Sequence, residues 1–177
     1  MRKKHTEMPR EYGEKLVDEN IYGVLSFYNE KKKELYSVPM SFVRIDDSLY
    51  FHTGKVGKKV ELFEDGLKVT VVFVLDAKSP TAIDLDSLRK IKEDEGNIKR
   101  VKSKVFTNEF SSCIINGKLN MVEDEKLRND AIYALCEKYN PEMKEFFNEA
   151  IGTCMHYTSV YKIYIDEISV RQKLVDM

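Results

Sequence analysis

The chain has no tryptophan, only three cysteines, and no apolar run approaching the ~20 residues that a membrane-spanning helix needs. Cys113, Cys136 and Cys154 are odd in number and widely spaced, which argues against a disulfide framework and fits a reducing compartment. Neither sign of charge dominates. With 29 Lys+Arg against 30 Asp+Glu the net charge is −1, and a pI near 6.3 gives no overall pull towards nucleic acid or an anionic membrane. The Met1-Arg-Lys-Lys start is followed by no apolar segment, so the expectation is a cytoplasmic chain without a secretory signal. No repeat period is visible. No nucleophile–base set or carboxylate dyad stands out. Cys154-x-His156 offers two potential metal ligands with no second pair at zinc spacing, so a zinc site is not expected.

What is present is 177 residues at 42% hydrophobic and 33% charged, enough for one domain with a good core. Pro9 to Glu19 reads as a short helix with Tyr12, Leu16 and Val17 on one side. Tyr22 to Tyr28 reads as a strand, with Gly23 marking a close approach, and Asn29 to Glu34 as a charged hairpin turn. Val69 to Leu75 is a buried strand, and Phe110 to Val122 another, with a bulge or bend at Gly117. Between them, about 76–108 is a charged helical insertion. In it Asp84 or Asp86 caps a helix carrying Leu85, Leu88 and Ile91, followed by the basic stretch Ile98 to Val105. Glu93, Asp94 and Glu95 lie close to those cations and aromatics are scarce, so a nucleic-acid patch is disfavoured. Asp124 caps a helix with Leu127, Ala131, Ala134 and Leu135 inward, and Pro141 opens one carrying Met143, Phe146, Phe147 and Ile151. Thr158 to Val170 alternates as the last strand. The expectation is a mainly β, α+β fold: a six-stranded antiparallel split β-barrel with helices in the connections, because closure removes edges.

The stretch from Tyr36 to Phe63 carries the functional signal. Alternation from Tyr36 places Val38, Met40 and Phe42 on one face and Ser37, Pro39 and Ser41 on the other. That second face is small enough for something flat to lie on it. Pro39 cannot donate to a ladder, so its strand needs a free side. Leu49 to Thr53 suits a further strand, and Gly54 and Gly57 frame a loop into a helix that starts with Lys58 and Lys59 and closes at Asp65-Gly66. Lysines in a first turn oppose the helix dipole. They make sense there either as an anion site or as a solvated surface pair.

Tyr36-Ser-Val-Pro-Met-Ser-Phe42, Phe51-His-Thr-Gly54 and Gly57-Lys-Lys59 together resemble the FMN-binding split barrel of the pyridoxine 5′-phosphate oxidase superfamily. The closer likeness is to its nitroimidazole-resistance branch, and it runs from about Met1 to Arg171. The resemblance implies FMN held by Ser37, Val38, Pro39, Met40, Ser41, His52, Thr53 and Gly54, with Lys58 and Lys59 on the phosphate. Counting back from Gly117, the position of the family's flavin-contacting Gln falls on Ser112, beside Ser111; Arg171 approaches the flavin or a partner subunit. His52 either hydrogen-bonds the flavin, donates a proton, or is a satisfied rim residue. The resemblance further implies a homodimer with the flavin at its interface and reduction of a small organic substrate such as a nitroaromatic with electrons from NAD(P)H. Alternatives on the same fold are a haem or flavin carrier or sensor, with His156 as the haem ligand, and a deazaflavin-dependent reductase. Two departures are plain. The family's C-terminal Trp is absent, and Ser169-Val-Arg-Gln-Lys173 replaces its pyridoxine-phosphate-binding pattern, so activity on vitamin B6 vitamers is not expected.

Overall fold

A computed structural model describes residues 7–79, 86, 89 and 107–174, without the side chain of Cys154. The interior of the expected 76–108 insertion, including the helix of Leu85, Leu88 and Ile91 and the basic stretch of Lys99, Arg100, Lys102 and Lys104, lies outside the described residues.

The described residues form an α+β fold dominated by one antiparallel sheet. Its strands are β1 (Gly23–Asn29), β2 (Glu34–Met40), β3 (Val43–Ile45), β4 (Ser48–Gly54), β5 (Leu67–Lys78), β6 (Glu109–Met121) and β7 (Thr158–Lys173). The spatial order is β2-β1-β5-β6-β7-β4-β3. Helix α1 (Arg10–Glu19) precedes the sheet, α2 (Lys58–Leu62) follows β4, and α3 (Glu125–Tyr139) and α4 (Phe147–Cys154) lie between β6 and β7. The expected six-stranded closed barrel is corrected on both counts: there are seven strands, and the ladder does not close. The unanticipated strand is β3, only three residues long and too short to show alternation.

The order has a geometric consequence. β2 and β3 are consecutive in sequence yet sit at opposite ends of the sheet, joined only by Ser41 and Phe42. Three Cα steps span at most about 11 Å, whereas seven strands laid flat would put the edges about 29 Å apart. The sheet must therefore roll until its two edges nearly meet. The remaining seam is the split.

Inside the roll, Phe42, Phe51, Phe73, Leu25, Leu49, Val71, Ile115, Leu119 and Ile163 are buried together. Burying each such side chain fully is worth about 1.5–3 kcal/mol. Phe42 meets Phe51 and Phe73 edge-on at centroid distances of 5.4 and 5.7 Å. α1 packs Leu16 and Val17 onto this core at one end. On the outer side of β3, β4 and β7, a second cluster of Val43, Tyr50, Val122, Ala131, Leu135 and Val160 seats α3. That helix begins where expected, with the Asp124 carboxylate accepting from Leu127 N–H at 2.7 Å.

The C-terminal turn of α3 clamps the seam. Tyr139 Oη accepts from Phe42 N–H (3.0 Å) and donates to Phe42 C=O (2.8 Å). Lys138 Nζ donates to Phe42 C=O and Val17 C=O, each at 2.9 Å. Burial lowers the Lys138 pKa, partly offset by Asp18.

Glycine positions follow the expected logic. A Cβ on Gly23 would meet the Phe73 ring at 2.6 Å, and one on Gly117 would meet Tyr164 C=O at 2.1 Å, at the bulge where the β6–β7 register shifts. The helix expected to close at Asp65-Gly66 instead stops at Leu62; Gly66, at φ +81°, turns the chain into β5.

Candidate functional site

The outward face of β2 carries Ser37 and Pro39, both exposed, while Tyr36, Val38 and Met40 turn to the core. β2 is an edge strand, which gives Pro39 the free side it needs. On β4, Phe51 and Thr53 are buried and His52 is exposed on the opposite face. Thr53 therefore presents its backbone, and not its hydroxyl, to the outside. β4 pairs with β3 only from Ser48 to Tyr50, so beyond Tyr50 its far edge has no ladder partner among the described residues.

At the seam, Ser41 and His52 line one cleft of about 350 Å³ with Leu135, Tyr139 and Asn140 of α3 and the following turn. An adjoining cavity of about 400 Å³ shares His52, Ile132, Cys136 and Asn140 and extends under the helical segment 141–157. Sequence reasoning missed Ile132, Cys136 and Asn140 as lining residues. The signal was present in the apolar run of Met143, Phe146, Phe147 and Ile151, which exceeds what a short helix needs for its own packing. Met143 and Phe146 remain half-exposed.

Gly57 precedes α2 at φ +119°, a conformation that L side chains rarely adopt, so a glycine is required there. α2 itself has five residues, and Lys59 falls in its last turn as well as its first. The expected conflict between these lysines and a helix dipole therefore largely disappears, and an anion would be held by ammonium groups above all. The two lysines differ. Lys58 Nζ donates to Glu34 Oε2 at 2.8 Å, whereas no carboxylate pairs with Lys59 among the described residues.

Lys59 is close enough to act on His52. Partial desolvation in the walls of the two clefts first, and the Lys59 ammonium second, push the His52 imidazole below its ordinary pKa although the side chain stays open to solvent on one side. The shift favours the neutral ring, which has one N–H donor and one acceptor nitrogen. Because the folded value is depressed, stability is fully present above the unfolded value and declines as pH falls through the folded one. An NMR titration should find the His52 pKa below ~6.5, moving up in Lys59→Gln. An unchanged value in that variant would remove Lys59 from the site.

The remaining expected residues do not join this group within one chain. Ser111 is buried and its hydroxyl is engaged with Tyr12 Oη (3.0 Å) and Gln172 Nε2 (3.1 Å), which places its side chain inside the fold. Ser112 lies on the other face, paired with Arg171 across β6–β7. His52 pairs with Val160 near the start of β7, whereas Arg171 is near its end. His156 is exposed in the turn Met155–Tyr157.

These features define a seven-stranded split barrel with a cleft at its seam, His52 in the wall of that cleft, and Lys59 within electrostatic reach of the histidine. Residues 9–84 match the family model described as pyridoxamine 5′-phosphate oxidase, in agreement with the resemblance carried by the motif. Solved structures agree in fold. A proposed 5-nitroimidazole antibiotic resistance protein from Bacteroides thetaiotaomicron is 17% identical, with 96% of this chain and 90% of that one covered at a TM-score of 0.65. The flavocytochrome Anf3 from Azotobacter vinelandii is 14% identical, covering 97% and 72% at 0.72. An FAD and haem binding protein from Mycobacterium smegmatis is 13% identical, covering 96% and 74% at 0.68. A comparison with curated proteins finds no match. No helix among the described residues is long and apolar enough to cross a membrane.

Proposed function

We propose that the chain is an FMN-dependent oxidoreductase that reduces a small organic substrate, a nitroaromatic being the leading class, with electrons from NAD(P)H. The observation that carries this reading is the seam. It brings Ser41 and His52 to one cleft, with Lys59 alongside and without a carboxylate partner among the described residues. The donor set fits the group: two ammonium ions for a phosphate, a backbone edge at β4 beyond Tyr50 for ring carbonyls and nitrogens, and the small residues Ser37, Pro39 and Ser41 where a flat ring needs room. When bound, FMN would supply the hydride and electron transfer. The chain's own residues bind and orient it. Lys59 and Lys58 hold the phosphate, His52 offers a neutral donor and acceptor, and α3 with the segment 141–157 excludes water from the adjoining cavity.

The reading includes an isologous homodimer. Its support is twofold. Ser112 and Arg171 sit at the far end of β7 from His52, so they reach a flavin only if a second copy presents them. The outer face of β2, β1, β5 and β6 also carries a register row of Pro39, Val24, Val72 and Ile114, flanked by Val74, 50% exposed. The haem-carrier reading rests on His156 and on neighbours whose names include haem; exposure of His156 leaves it without a cavity of its own among those described.

The absorption spectrum and light scattering of protein purified from its native host test both parts. Yellow flavin bands on a dimer are expected. A haem Soret band, a bound deazaflavin, or a stable FMN-loaded monomer would each overturn the reading.

A further inference from the structure

The cavity beneath the helical segment 141–157 has a character that the cofactor reading does not account for. Its walls are Ile132, Met143, Phe146, Phe147, Ile151 and Met155. Its polar groups are His52, Cys136, Asn140 and Thr158, and no Asp, Glu, Lys or Arg lines it. At about 400 Å³ it falls within the range of small-molecule sites, which are mostly apolar with a few convergent polar groups. It is also contiguous with the seam cleft, because His52, Ile132, Cys136 and Asn140 belong to both.

Each wall component points to the same ligand. A charged molecule entering here would give up hydration and find no counter-ion in the walls. A flat unsaturated ring gains instead, since Phe146 and Phe147 offer ring faces and edges, and Met143 and Met155 offer polarizable sulfur. His52, shared by both clefts, supplies an N–H for an acceptor atom on the ligand. The wall is held in place from α3, where Tyr133 meets Phe147 edge-on at 4.7 Å.

We infer that this cavity is a substrate pocket for an uncharged, flat, ring-containing molecule that presents a hydrogen-bond acceptor to His52, and that it rejects anionic analogues. The inference deepens the oxidoreductase reading and rests on it for the word substrate, but binding to the cavity is measurable without cofactor. Equilibrium dialysis of the protein, with and without FMN, against nitrobenzene and against 4-nitrobenzoate is the test. Nitrobenzene is expected to bind at least tenfold more tightly than 4-nitrobenzoate in both forms. Ala150 lines the cavity from an exposed helical position, so Ala150→Trp should fold, fill the space and weaken nitrobenzene at least tenfold while FMN affinity stays unchanged. Met143→Lys places a cation in the wall and should narrow or reverse the preference for the neutral probe. Circular dichroism identifies a misfolded Ala150→Trp, in which case Met143→Lys decides alone. Equal binding of the two probes to wild type overturns the inference, as does unchanged nitrobenzene binding in folded Ala150→Trp or an unchanged preference in Met143→Lys. Failure of FMN to bind would sink the cofactor reading instead, leaving the nitrobenzene result on apo-protein to stand or fall by itself.

Discussion

Lys59→Ala is expected to weaken FMN binding roughly ten- to hundred-fold and to leave riboflavin binding nearly unchanged. A hydrogen bond to a charged group is worth about 1.5–3 kcal/mol, and among the described residues Lys59 has no carboxylate to give up before it takes a phosphate. Lys58 differs, because a phosphate must compete with Glu34 for its ammonium. Lys58→Ala should therefore cost less than Lys59→Ala, and Glu34→Gln should tighten FMN binding. The unliganded protein should barely respond to Lys59→Ala, within about 0.5 kcal/mol as for an ordinary surface substitution. A five-residue helix gives a cation little dipole to oppose. Titration of both proteins with FMN and riboflavin separates the cases. Parallel losses for the two ligands would mean that the lysines support the fold, and the phosphate assignment would be withdrawn.

The seam explains why part of this site was legible in the sequence and part was not. Alternation along Tyr36 to Phe42 and Leu49 to Thr53 fixes which side chains point outward, so His52 and Pro39 could be placed on the correct faces from period two alone. Asp124 as a cap, Gly117 at a bulge and Gly23 under a ring each follow from local chemistry. β3 was not legible because three residues show no period. Nor was the exchange of edges. Nothing between Met40 and Val43 signals that the chain steps from one end of the sheet to the other, since that is decided by how the remaining strands pair. The same long-range pairing separates Ser112 and Arg171 from His52, and it seats α3 where Ile132, Cys136 and Asn140 become cavity walls. Ser111 and Ser112 are separated for a different reason. Adjacent strand residues point to opposite faces, so Ser111 and Ser112 could never have served one ligand together by their side chains.

Phe42→Ala should cost about 3–5 kcal/mol of folding stability, the range for truncating a buried phenylalanine. The side chain is fully buried among Phe51 and Phe73, and it sits in the two-residue step that brings the sheet's edges together. Neighbouring rings can refill the space only by moving β4 or β5, both held by ladders on at least one side, so the cavity should persist. Urea unfolding of Phe42→Ala and Phe42→Leu would read the core contribution, with the leucine variant expected to lose much less. Tyr139→Phe isolates the clamp. It keeps the ring but removes the hydroxyl that accepts from Phe42 N–H and donates to Phe42 C=O, and an unsatisfied buried group of this kind costs about 1–3 kcal/mol. Lys138 still donates to the same carbonyl, so the orphan in that variant is the N–H. If the seam builds the site as described, Tyr139→Phe should also loosen FMN at a temperature where the protein remains folded, because Ser41 is the residue next to Phe42 and shares the cleft with Tyr139. A loss below about 1 kcal/mol in Phe42→Ala would show that the edges are held together elsewhere. Full FMN affinity in Tyr139→Phe would show that the cleft does not depend on the clamp.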